Sequence, residues 1–146
     1  MARREPLKLA AQDAEDLAVI SAALQDAVAQ LGDIQYDRRR RRFTAVFNRF
    51  RWEDRGMGQA WRTRSALDFS DVLQVSSKNL KRDAPGAIVS LLAVSFEPGE
   101  APGGHILLAF SGGGELRLEV ECIDALLADV SEPWPAKARP SHEGME

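Results

Sequence analysis

Two carboxylates, Glu119 and Glu121, stand two residues apart in the run Glu115–Glu121, which reads ELRLEVE. On a β-strand that spacing puts both on one face, where a carboxylate pair can divide general-acid and general-base work. His105, which opens the preceding apolar run, could join them, whereas the second histidine, His142, lies in the tail. The lone cysteine, Cys122, follows Glu121 directly. No Gly-x-Ser-x-Gly elbow accompanies these residues to suggest a nucleophile and its base. The sequence also lacks Cys-x-x-Cys and His-x-x-x-His, the spacings that zinc and other transition metals use, so no metal or cofactor is expected. Gly112–Gly114 raises the question of a phosphate loop. It joins two β-patterned segments, lacks the Lys-Ser/Thr of a P-loop and opens no helix, so a hairpin turn is expected. Asp13, Glu15 and Asp16 read as helix N-terminal acids that meet the helix dipole favourably. A solvated sheet face accounts for Glu119 and Glu121 equally simply, and a small-molecule enzyme using them or His105 is the least favoured of three functional readings.

The arginines carry the other chemistry. The net charge is −3, but it is unevenly spread. Between Tyr36 and Arg64 ten arginines face three acids, and between Glu97 and Glu132 eight acids face Arg117 alone. Arg38, Arg39, Arg40, Arg41 and Arg42 form an unbroken run that can contact phosphates, each neutralised phosphate adding to the salt dependence of binding. Arg49 and Arg51 alternate along a strand beside Trp52, and Arg62 and Arg64 flank the same strand segment as Trp61. Guanidinium groups interleaved with aromatic rings can stack bases or grip an anionic peptide. The competing expectation is a solvated tip, with the strand arginines paired to the acidic Glu115–Glu121 strand.

The elements that must hold these residues follow from periodicity. His105–Val130 (HILLAFSGGGELRLEVECIDALLADV) predicts a strand, a glycine turn and a second strand with Leu116, Leu118 and Val120 on its buried side. Ile123, Leu126, Leu127 and Val130 then fall at i, i+3, i+4 and i+7, which predicts a C-terminal helix. Asp13 with Asp16 suggests an N-cap, and Leu17, Ile20 and Leu24 mark the apolar face of an N-terminal helix of about three turns. Ala27–Tyr36 reads as a strand kinked at Gly32. In Phe43–Trp52 the apolar phase shifts between Phe47 and Phe50, which predicts a bulge or a passage between sheets. Ala60–Asn79 reads as a strand pair or one bent strand, and Ala87–Phe96 as an apolar central strand. Residues 1–12 are expected to be a lead-in in which Leu7 and Leu9 can form a short edge strand. Residues 13–134 form a single domain and 135–146 a flexible tail, with Trp134 docked on the body. The sum is an α+β fold: an antiparallel meander forming a curved sheet or partly open barrel, with an N-terminal helix and a C-terminal capping helix, pleckstrin-homology-like in element order.

At 146 residues, 45% hydrophobic and 28% charged, the composition is that of an ordinary globular domain. No apolar run reaches the roughly 20 residues of a membrane span, MARREPLKL lacks the apolar centre of a signal peptide, and one cysteine fits a reducing compartment. Cys122 is expected to be an inert buried thiol. Several stretches together (Leu7–Ala27, FNRFRWE at Phe47–Glu53, LLAVSFEPGE at Leu91–Glu100 and FSGGGELRLEVEC at Phe110–Cys122) resemble an uncharacterised proteobacterial family, domain of unknown function 2948. The run Arg38–Arg42 stands outside that pattern. The resemblance implies a bacterial cytoplasmic single-domain protein and carries over no activity, cofactor or site. The favoured expectation is a non-enzymatic cytoplasmic binding or adaptor domain recognising a protein partner through a sheet edge or the Arg/Trp surface. Opposite charges on the two segments also permit a homodimer. The alternative is nucleic-acid or polyanion binding through Arg38–Arg64. No membrane association is expected.

Overall fold

A computed structural model describes residues 5–54 and 58–136. The first strand, β1 (Lys8–Ala11), leads into the helix α1 (Ala14–Ala23). Asp13 caps that helix as its sequence suggests, the carboxylate accepting from the Asp16 N–H at 2.8 Å. Leu17, Ile20 and Leu24 are fully buried, and the Ser21 hydroxyl accepts from the Val94 N–H, so one face of α1 is sealed into the core. Each of those side chains contributes about 1.5–3 kcal/mol of burial.

The next strand is interrupted. β2 (Val28–Gln30) and β3 (Ile34–Asp37) are separated by a single 3-10 turn at Leu31–Asp33. Gly32 sits in that turn because a side chain there would press on the Pro85 carbonyl, which accepts from the Gly32 N–H. β4 (Arg42–Phe50) pairs with β3 along its first half and with β2 near its end, and on its other side with β5 (Trp61–Phe69). β6 (Val72–Lys78) follows β5 across Ser70–Asp71, where Asp71 has φ 59°. β7 (Ile88–Pro98), β8 (Gly104–Phe110) and β9 (Glu115–Val120) form an antiparallel meander, and β6 pairs with β9. Gly112 and Gly113 both have positive φ, so the three-glycine segment is a hairpin turn. β10 (Ala125–Asp129) lies between β5 and β1, and β11 (Trp134–Pro135) adds to β5, docking Trp134 half-buried as expected.

The strand order β1-β10-β5-β4-β2-β7-β8-β9-β6 describes one antiparallel sheet that curls over a single core without closing. Phe43, Ala45, Phe47, Leu67 and Phe69 from one wing meet Leu91, Val94, Ile106, Leu108 and Leu118 from the other, with α1 against β7 and β1. The curved antiparallel sheet and the N-terminal helix agree with the sequence.

Two expectations are corrected. Ile123–Val130 is not a helix, and α1 is the one α-helix among the described residues. The period of two in Ile123, Ala125, Leu127 and Asp129 prevails over the helical spacing, because hydrogen bonding to both β5 and β1 satisfies the whole backbone of β10. The pleckstrin-homology comparison, which needed a terminal helix as plug, loses that support. Second, β4 contains no bulge: its register with β5 runs unbroken from Phe43↔Phe69 to Phe50↔Arg62. The inward series Phe43, Ala45, Phe47 simply continues into Arg49, so the shift in apolar phase records a buried arginine. The irregularities lie instead in β6 and β7. The apolar run at Ala87–Phe96 is central, as its sequence suggests: β7 lies between β2 and β8, with Leu91 and Val94 buried and Ile88 63% exposed.

Candidate functional site

The arginines singled out in the sequence go to three different places. Arg49 is wholly buried, and its five N–H groups are all engaged. Nε and Nη2 fork onto Asp129 at 3.0 Å each, Nη1 and Nη2 fork onto Glu53 at 3.0 and 2.7 Å, and Nη1 also reaches the Phe50 carbonyl. Asp129 further accepts from the Ser65 hydroxyl and the Leu7 N–H, fastening β1 to this cluster. Arg51 donates Nε to Asp54 at 2.7 Å and both Nη groups to the Glu5 carbonyl. Two arginines and three carboxylates thus form one largely buried network where β4 and β10 end beside the first half of β5.

Burial alone would push the Asp129 carboxyl upward, but the Arg49 fork, the Leu7 N–H and the Ser65 hydroxyl outweigh it and hold the group below its ordinary value. Glu53 behaves in the same way: burial raises it, and the Arg49 and Arg51 guanidiniums bring it below the usual range. Neither Arg49 nor Arg51 is a surface cation, and neither pairs with Glu115–Glu121. Their partners are the local Glu53 and Asp54 and the distant Asp129.

The aromatic neighbours are also structural. Trp52 packs edge-on against Phe50, with ring centroids 4.6 Å apart, and donates its indole N–H to the Gln25 carbonyl. Trp61 is half-buried opposite Pro135. Arg62 lies half-buried on the outer face opposite Phe50 and Trp134, where desolvation lowers its pKa and the Asp26 charge partly offsets this. Arg64 is exposed and donates to Asn48.

Residues 38–41 of the arginine run form the exposed turn between β3 and β4, and Arg42 opens β4. Arg40 pairs with Asp37, Arg41 with Glu121 and Arg42 with Asp68, while Arg38 and Arg39 make no ion pair among the described residues. Arg38, Arg39, Arg40 and Arg42 line a shallow concavity with Gln35 and Thr44.

A second concavity has a different character. β3 and β6 face each other without pairing, since β3 pairs only with β4 and β6 only with β9. At one end the gap is closed by the Val72 N–H donating to the Arg41 carbonyl at 2.9 Å and by the Tyr36 hydroxyl donating to the Val72 carbonyl at 2.8 Å. At the other end Leu31 and Leu80 border it. Between them is a cleft of about 460 Å³ whose lining includes Phe43 and Leu116 from the core and Gln74, Val75, Ser76 and Ser77 from β6. That volume is in the range of ligand sites. Arg38 and Arg82 line it as well, and no carboxylate does. Sequence reasoning missed this cleft: Tyr36, Gln74, Ser77 and Arg82 carry no motif, and only the failure of two strands to pair brings them together.

The remaining candidates are dispersed. Glu119 is exposed on β9 and Glu121 just past its end, His105 pairs with Glu119 in the β8–β9 register, and none of the three lines the cleft. Cys122 is half-buried; desolvation and the Asp71 carboxylate 3.6 Å away raise its thiol pKa, which disfavours the reactive thiolate. No group of three or more His, Cys, Asp or Glu side chains among the described residues could hold a metal. No helix there is long and apolar enough to cross a membrane. The chain belongs to the family described as "Protein of unknown function (DUF2948)", which matches residues 7–142. No curated protein and no solved structure matches it.

Proposed function

We propose that this family member is a non-enzymatic binding or adaptor domain of the bacterial cytoplasm that takes an extended segment of a protein partner into the cleft between β3 and β6. The observation that supports this reading is the pair of facing, unpaired strand edges above a floor that includes Phe43 and Leu116. A free strand edge supplies main-chain hydrogen bonds to an incoming peptide, and pockets beside it select alternate side chains. Val72 meets the end of β3, and Pro85, in the segment after β6, accepts from the Gly32 N–H just before its start, so the two edges run in opposite senses. An inserted strand therefore pairs antiparallel with one edge only. β6, seven residues long against four for β3, is the better template. The single cysteine fits the reducing compartment in this reading.

The test is selection from a displayed library of random ten-residue peptides against the wild-type domain, with counter-selection on Ser77→Trp, which fills the cleft. Peptides that bind the wild type, lose binding to Ser77→Trp and shift the amide resonances of residues 34–36 and 74–77 are the expected result. An empty selection, or binders indifferent to the filled cleft, would overturn the reading. Gln74→Trp, on the exposed rim, serves as a second blocking variant that spares the core.

Polyanion binding by the β3–β4 turn is favoured by one observation, the concavity lined by Arg38, Arg39, Arg40 and Arg42. It predicts salt-sensitive retention of oligonucleotides that Ser77→Trp leaves unchanged. With Arg49 and Arg51 buried and neutralised, that surface carries less charge than the sequence suggests.

A further inference from the structure

We infer that the segment received by the β3–β6 cleft is acidic, with carboxylates flanking an apolar centre. The inference rests on the reading above and names the chemistry of its partner. Most of the described arginines already have a carboxylate: Arg40, Arg41, Arg42, Arg49, Arg51 and Arg117 each make an ion pair. Of the described arginines that make none, Arg39, Arg62 and Arg64 lie elsewhere, whereas Arg38 and Arg82 both line this cleft, Arg38 bordering the outer concavity as well. They come from opposite walls, Arg38 just past the end of β3 and Arg82 in the segment after β6, so cationic groups stand at both sides of a largely apolar and hydroxylated surface. Acids adjacent to them or to the lining in sequence make no ion pair with either. Asp37 caps the Arg40 N–H and pairs with its side chain, Glu115 lies opposite Lys78 in the β6–β9 register, and Asp83 is exposed outside the lining. A peptide with Asp or Glu on both sides of one or two apolar residues would satisfy both arginines and bury its centre against Phe43 and Leu116. A basic segment would place like charges together, which disfavours the wrong partner as effectively as attraction favours the right one.

The experiment uses the peptides recovered by the library selection on the full-length domain. Asp and Glu are expected to be enriched at the flanks. Replacing the flanking acids of one selected peptide with Gln is expected to weaken its binding about threefold to tenfold, and replacing them with Lys more strongly, because exposed charge pairs attract modestly and like charges repel. In Arg38→Gln/Arg82→Gln, checked for an unchanged melting temperature, the acidic and Gln-flanked peptides should bind within about twofold of each other. Cleft-dependent binding with no flank preference would overturn this inference while leaving the peptide reading intact. A flank preference that survives in Arg38→Gln/Arg82→Gln but disappears in Arg39→Gln/Arg40→Gln would move the acid contact to the outer turn and overturn the inference in the same way. Concentration-dependent self-association abolished by Ser77→Trp would put a second copy of the chain in the cleft and overturn it too. An empty selection would remove both readings together.

Discussion

Replacing Asp129 with Asn keeps the side chain's shape and opens no cavity, so its effect isolates charge and hydrogen bonding. In the folded protein both carboxylate oxygens act only as acceptors: Oδ1 faces Arg49 Nε and the Ser65 hydroxyl, Oδ2 faces Arg49 Nη2 and the Leu7 N–H. An amide can place its oxygen toward one pair of donors, but its NH₂ then points at the other, at a side chain only 1% exposed. Arg49, itself wholly buried, loses one of its two anionic partners. Breaking a buried pair from one side costs about 3–5 kcal/mol. Against a reserve of about 5–15 kcal/mol, Asp129→Asn should fold but be clearly weakened. Glu53→Gln is the internal contrast. That side chain is 34% exposed, so water can replace part of what is lost, and about 1 kcal/mol is expected.

Urea unfolding followed by tryptophan fluorescence measures both. With a slope of about 1–3 kcal/mol per M, Asp129→Asn should lower the midpoint by at least about 1 M. The pH dependence gives an independent readout. The Asp129 and Glu53 carboxyls are held below their unfolded values, so their contribution is fully present above the ordinary carboxylate range and is lost as pH falls through the folded values. Wild-type stability should therefore decline below about pH 4, and Asp129→Asn should decline less. A loss under about 0.5 kcal/mol at pH 7, with an unchanged acid profile, would show that the network does not hold these strands together.

Other consequences are more local. Gly104→Ala should destabilise by about 1–3 kcal/mol, because a methyl there meets the Glu97 carbonyl oxygen and the Phe96 ring; equilibrium unfolding measures it. Tyr36→Phe removes the hydroxyl that bridges β3 to the Val72 carbonyl, and about 1 kcal/mol should be lost, with faster amide hydrogen exchange along β6 than elsewhere in the sheet. The Cys122 thiol should react with a disulfide reagent more slowly at pH 7.5 than the same residue in the urea-unfolded chain, because its neighbours disfavour the thiolate; equal rates would contradict that.

The comparison of sequence with structure turns on two inward positions. In β4 the alternation Phe43, Ala45, Phe47 implied a next inward residue at 49, and the residue there is arginine. That conflict invites an explanation in the backbone, a bulge, when the physical answer is electrostatic. The sequence does contain the resolving signal. Glu53 and Asp54 follow Arg49 and Arg51 by four and three residues, close enough to pair as the chain turns out of the strand. The distant half of the answer is Asp129, which ends the inward series Ile123, Ala125, Leu127. An acid on that face needs a buried cation, and Arg49, with Arg51 beside it, supplies one. Read as a helix, the same segment hides this demand, since helical spacing groups Ile123 with Leu126 and places Asp129 off the apolar stripe. Misassigning β10 and treating Arg49 as a surface cation are therefore one error. The hairpins, the Asp13 cap and the glycine turn were legible because each depends on neighbours in sequence. The cleft was not, because it depends on β3 and β6 failing to meet, and strands 35 or more residues apart leave no local mark of a bond they do not form. What the sequence does carry is the difference between neutralised and unneutralised charge. Once Arg49 and Arg51 are assigned to carboxylates, Arg38 and Arg82 are among the cations left over, and both stand beside that cleft, where an acidic partner can reach them.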